Sequence, residues 1–92
     1  MRPLDQLDLG PEVASTLDRV RWRDAARVVT LLWEQRGLKL PRLTVGQVLD
    51  RLCHEGYAES TILTFMGRQD QNYRLTELGE RERGAQAEPR SP

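Results

Sequence analysis

A small, mainly α domain with one β-hairpin (α+β) is the fold class this sequence predicts, on three observations. Apolar residues recur near the helical period from residue 11 to residue 53. The period then falls to about two between Tyr57 and Leu75, in a stretch rich in Thr, Ile, Phe and Tyr. Finally, 92 residues with 38% hydrophobic content leave room for one core, and nearly every large apolar residue is needed in it.

Each element has its own signal. Residues 1–10 read as an N-terminal arm, with Leu4, Leu7 and Leu9 loosely spaced, that either docks or stays mobile. Pro11 suits a first helical position, and Val13, Ala14, Leu17 and Val20 follow at helical spacing. The stripe restarts in a new phase with Trp22, Ala25, Ala26, Val29, Leu32 and Trp33, widened by Val28 and Leu31. One bent helix or two would account for this; two, over 11–20 and 22–36, is the favoured reading, with Trp33 in the core and Gly37 as the stop. Leu38–Leu43 is an extended connector around Pro41 whose leucines tuck inward.

Thr44 is a good N-cap for a third helix over 44–55, and Gln47 three residues on completes the sequence form of a capping box. Val45, Val48, Leu49, Leu52 and Cys53 lie on one side of it; Gly46, Gln47, Asp50, Arg51 and His54 lie on the other. Tyr57–Met66 is the first strand, GRQDQ from Gly67 the polar turn, and Asn72–Leu75 the return strand. Thr76 caps a short closing helix whose main apolar residue is Leu78, and residues 84–92 hold no large hydrophobe and are expected to be a disordered tail. The domain proper is thus expected over residues 11–83.

Two segments carry a resemblance. RLCHEGYAES, at the exit of the third helix, resembles the recognition-helix exit of winged-helix regulators. YRLTELGE resembles the Y-x-L-T-x-x-G segment of MarR- and PadR-type transcription factors. Together they span about residues 44–80, and each residue type has a physical use. Gly56 lets the chain leave the helix through a left-handed turn, and Gly79 avoids a clash where the closing helix crosses the hairpin. The resemblance implies a winged helix: three helices, a two-stranded wing and a short C-terminal helix.

It also implies that the polar face of the third helix enters the major groove of double-stranded DNA while the wing reaches phosphate or the minor groove. On that reading Gln47, Arg51 and His54 face the bases, Gln being able to pair with adenine and Arg with guanine. Arg42 and Thr44 hold a phosphate at the helix entrance. Arg68, Gln69, Gln71 and Arg74 on the wing supply phosphate and groove contacts. Asp50, in the middle of the same helix face, works against phosphate.

Charge sharpens this. Fourteen basic residues balance fourteen acidic ones, which excludes binding by bulk positive charge. The balance is uneven along the chain, with six basic against two acidic residues over 21–43. Arg21, Arg23 and Arg27 belong to this excess and are candidates for backbone or partner contacts, with Arg23 and Arg27 four apart on one helix. Trp22 among them reads as a core lid or an anchor for a partner chain. The leucines and valines of residues 1–20 would suffice for a homodimer contact.

Other classes fall away. No run approaches the roughly 18 apolar residues of a membrane span, and Arg2, Pro3 and Asp5 do not open a signal peptide, so a cytoplasmic protein is expected. One cysteine, Cys53, and one histidine, His54, supply neither a disulfide nor a zinc site. No nucleophile–base set, paired carboxylates or Gly-rich phosphate loop is present, so neither an enzyme nor a cofactor is expected. The runner-up is a winged helix that binds protein, as an adaptor, an assembly subunit or a mobile-element inhibitor of a host factor.

Overall fold

In the computed structural model the described residues are 2–87. The chain runs through a 3₁₀ turn (Leu4–Gln6), α1 (Gly10–Ala14), β1 (Arg23–Asp24), α2 (Ala25–Arg36), α3 (Arg42–His54), β2 (Ala58–Phe65), β3 (Arg68–Leu75) and α4 (Glu77–Ala87). This is a winged-helix arrangement of α2, α3 and the β2–β3 hairpin, with one strand more than the sequence signals. β1 joins the hairpin to give an antiparallel sheet of order β1-β3-β2, pairing Arg23 with Tyr73 and Asp24 with Asn72.

The first two helices are shorter than their periodicity suggests. Ser15 and Thr16 turn their hydroxyls back onto the carbonyls of Glu12 and Val13, and α1 ends at Ala14 rather than at residue 20. Leu17 stays buried but Val20 is exposed. Residues 22–24 are extended because two of them pair with β3; α2 therefore begins at Ala25, capped by the Asp24 carboxylate, which accepts from the Arg27 N–H at 2.8 Å. Set from that start, the buried stripe of α2 is Val28, Leu31 and Leu32. Trp33, expected in the core, falls on the other side and is 58% exposed.

The third helix also starts early, at Arg42. Its N-cap is Pro41, with no side-chain cap, so Thr44 sits inside the first turn and forms no capping box. Leu43, expected to tuck inward, becomes helical on the side opposite Val45, Leu49 and Leu52, and is exposed. Leu38 and Leu40 do pack against the core.

The hairpin turns sooner than expected. Phe65 pairs with Arg68, so the connection is the two residues Met66 and Gly67, and GRQDQ belongs to β3 except for its glycine. Both turn residues have positive φ, 50° and 79°, the requirement of the two-residue turn whose twist matches a hairpin. The molecule measures 52 × 26 × 20 Å along its principal axes, and the hairpin is exposed from Ile62 to Gln69.

The core is formed by Leu4, Leu7, Val13, Leu17, Val28, Leu32, Val45, Leu49, Leu52, Tyr57, Tyr73 and Leu75, with Leu78 and a half-buried Cys53 against it. The N-terminal arm is docked. Leu4 and Leu7 are buried, the Arg2 carbonyl accepts from the Tyr57 hydroxyl, and the Arg2 N–H donates to Glu55. Each fully buried leucine contributes about 2 kcal/mol of transfer energy, so this strap matters in so small a core. At the far end Thr76 caps α4 by accepting from the Gly79 N–H, while its hydroxyl donates to the Gly56 carbonyl. α4 runs on to Ala87, past the boundary expected at residue 83; the rest of the expected tail, residues 88–92, lies outside the described residues.

Candidate nucleic-acid interface

Hiding Val45, Leu49 and Leu52 leaves the opposite side of α3 to solvent, and that side carries Leu43, Gln47, Asp50, Arg51 and His54, all exposed. Arg42 is exposed at the first helical position and Thr44 is half-buried two residues on; no acidic residue lies in this first turn. The free N–H groups of the turn therefore meet no competing carboxylate on their own helix. A shallow groove between the N-terminal segment and α3 is lined by Asp8, Leu9, Thr44, Gln47, Val48 and Arg51.

The sheet fixes where the wing lies relative to this face. Side chains alternate across a strand, so Ala58, Ser60, Ile62 and Thr64 share one face with Gln69, Gln71, Tyr73 and Leu75. Ala58, Tyr73 and Leu75 are buried against the helices, which makes this the α3 side. Tyr73 reaches the helix directly, its hydroxyl donating to Asp50 Oδ1 at 3.4 Å, a long bond. Burial first, and then the Asp50 carboxylate, pushes Tyr73 up to about 12. Ser60 stands beside the Cys53 thiol, which burial pushes up, so Cys53 is a poor nucleophile.

The expected site residues therefore divide. Gln47, Arg51 and His54 share the free face of α3 with Asp50 between them. Gln69 and Gln71 lie on the α3 side of the wing, with the Gln71 amide donating to the Ser60 hydroxyl at 3.1 Å. Arg68 lies on the opposite wing face, beside the tip, and is exposed. Arg74 is on that opposite face too, and it is engaged: its Nε pairs with Glu59, and its guanidinium sits 4.2 Å from the centre of the Trp22 ring. Trp22 is half-buried under it.

Arg21 and Arg27 are exposed, but Arg23 is not Arg27's helical neighbour, because it belongs to β1. Pairing with Tyr73 puts Arg23 on the α3 side of the sheet, where its Nε is buried. Two features escaped sequence reasoning. One is the Tyr73–Asp50 contact, which strand alternation could have suggested but helix-only counting could not. The other is the bare apolar wing, where Ile62, Leu63, Phe65 and Met66 are all exposed, the last two by 76% and 86%. Among the described residues no cluster of three His, Cys, Asp or Glu could hold a metal, and no helix is long and apolar enough to cross a membrane.

No family model matches the chain, and no curated protein matches it in sequence. Solved structures do. PadR of Bacillus subtilis in complex with operator DNA superposes with a TM-score of 0.73 at 16% identity over 89% of this chain. A PadR-family transcription regulator of Clostridium difficile gives 0.72 at 17% identity, covering 83% of this chain and 79% of the other. A PadR-like transcription factor of Bacteroides fragilis gives 0.70 at 22%, covering 83% and 73%. This chain spans 48% of the Bacillus subtilis protein, about half its length. The fold is thus the winged helix seen in these structures of PadR-like transcription regulators.

Proposed function

We propose that this chain is a winged-helix DNA-binding protein that regulates transcription or another DNA transaction in the cytoplasm, and that it works as a homodimer. One observation carries the reading. The free face of α3 presents Gln47, Arg51 and His54 on the side toward which the wing turns Gln69 and Gln71, in a fold that another protein uses while bound to operator DNA. Arg51 and Gln47 are assigned to base edges. Arg42, Thr44 and the first-turn N–H groups are assigned to a phosphate, and Arg68 to the backbone or groove beside the wing tip. Arg21 and Arg27 extend the phosphate contacts. Residues 11–83 form the working unit, with the arm as its strap.

The second reading, a winged helix that binds protein, is favoured by the exposed Trp33 and by the apolar wing. Duplex affinity at two salt concentrations separates the two. A DNA binder loses affinity steeply between about 50 and 200 mM salt, because each neutralised phosphate releases counterions. Arg68→Ala is expected to weaken all duplexes alike, and Arg51→Ala to change sequence preference by about 1–3 kcal/mol at one base position. No binding to pooled genomic fragments at low salt would sink the DNA reading.

A further inference from the structure

From the hairpin we infer that two copies of this chain associate through the outer edges of their β2 strands, pairing antiparallel about a two-fold axis at Leu63. The inference deepens the homodimer proposed above by naming its surface. The N-terminal apolar residues are not available for it, because Leu4, Leu7, Val13 and Leu17 are buried within the chain.

β2 is the terminal strand of the sheet. In a hairpin closed by a two-residue turn the flanking pair, Phe65 and Arg68, exchanges both hydrogen bonds, and bonding then alternates along the ladder. Leu63, Thr61 and Glu59 thus bond inward to β3, while Ser60, Ile62 and Thr64 point their N–H and C=O groups outward. The same alternation holds on β3, where the Leu75 N–H is free of β2 and donates to Asp18 instead. Proteins usually blunt such an edge with lysine, proline or a bulge. Here Ser60–Met66 contains no charged residue and no proline, and β2 pairs with β3 without a bulge.

A second copy fits what this edge offers. Without charge it complements neither phosphate nor an acidic or basic surface. In the register centred on Leu63, Ile62 pairs with the partner's Thr64 and the reverse, exchanging about four backbone hydrogen bonds. Leu63 meets the partner's Leu63, Phe65 meets Thr61, and Glu59 falls opposite Gly67, so no like charges oppose. The axis is perpendicular to the sheet, so both α3 helices lie on one side of it. The two Ala58 residues, where the sheets meet their helical bodies, stand about 33 Å apart along the strands. That is close to the roughly 34–36 Å between successive half-sites on one side of a duplex.

Thr64→Pro tests this in the full chain, because the Thr64 N–H points outward and its loss removes no bond of the hairpin. In sedimentation across micromolar concentrations the wild type is expected to dimerise, and Thr64→Pro to remain monomeric with an unchanged melting temperature. Leu63→Lys serves as the second variant and is also expected to be monomeric. The inference is overturned if the wild type stays monomeric, if it assembles beyond a dimer, or if both variants still dimerise. It is equally overturned if Trp33→Ser, and neither wing variant, dissociates the dimer. Binding of a random-sequence duplex at low salt, measured on the same proteins, is read separately: loss of the dimer in the wing variants supports this contact whether or not the duplex binds.

Discussion

Asp50 sits in the middle of the face that α3 presents to solvent, where a carboxylate would repel phosphate, and its nearest structural partner is the Tyr73 hydroxyl. That contact ties the helix to the wing and leaves a titration signature. Both tyrosines of the chain, Tyr57 and Tyr73, are raised by burial, Tyr73 to about 12. A raised folded-state value means the unfolded chain loses the proton first, so stability is fully present below pH 10 and falls as pH rises from there towards about 12. The Tyr73 share of the tyrosinate absorbance is therefore expected to stay absent through pH 10 in the folded protein and to appear only with unfolding or near pH 12. Gly79 is the other residue-scale constraint. A Cβ there would lie 1.9 Å from the Tyr57 carbonyl oxygen, whereas a Cβ at Gly46 in α3 meets nothing within 4 Å. Gly79→Ala is expected to cost about 3 kcal/mol or more in urea unfolding, while Gly46→Ala adds about 1 kcal/mol by helix propensity alone.

At the scale of elements, the wing combines a tight turn with an unfavourable residue in it. Met66 occupies a left-handed position for which Asn or Gly is preferred, and it is the most exposed large hydrophobe of the described residues. Met66→Asn is expected to stabilise the hairpin by about 1 kcal/mol, read as a higher melting temperature. Its effect on duplex binding, compared with Arg68→Ala, tells whether the tip or its neighbouring guanidinium makes the contact. The helices depend on caps more than on length. α2 starts where Asp24 caps it, and α4 starts where Thr76 does, so Thr76→Ala is expected to cost about 1–2 kcal/mol, with the loss visible as helical circular dichroism.

At the scale of the whole molecule, zero net charge coexists with a basic stretch over residues 21–43. Arg74 is neutralised by Glu59 and covered by stacking on Trp22, so it adds little to the field on the α3 side. Arg42 and Arg51 remain exposed on α3, and Arg21 and Arg27 before and within α2. Affinity that rests on these guanidinium groups is expected to give a salt slope near −0.9 per phosphate contacted, steep enough to be read between about 50 and 200 mM salt. Losing Arg42, the arginine assigned to a phosphate on α3, should then reduce that slope by about one unit.

The chain's class, its wing and several local devices were legible in the sequence. The change of period at Gly56 marks the hairpin, Thr76 reads as a cap, and Gly79 as a place where no side chain fits. These are local properties, set by spacing, capping chemistry and the absence of a Cβ. What only the tertiary structure decided depends on pairing between distant segments. Residues 23–24 left the helix because β3 offers them hydrogen bonds, which rotated the phase of α2, put Trp33 outside and separated Arg23 from Arg27. Pro41 started α3 two residues before Thr44 could cap it, so Leu43 was turned outward. The turn contracted to Met66–Gly67 because cross-strand register, and not the polarity of GRQDQ, sets where a hairpin closes. The candidate residues of α3 could be read from one helix's periodicity. Which wing residues join them was decided by strand alternation relative to a core that only the folded chain possesses.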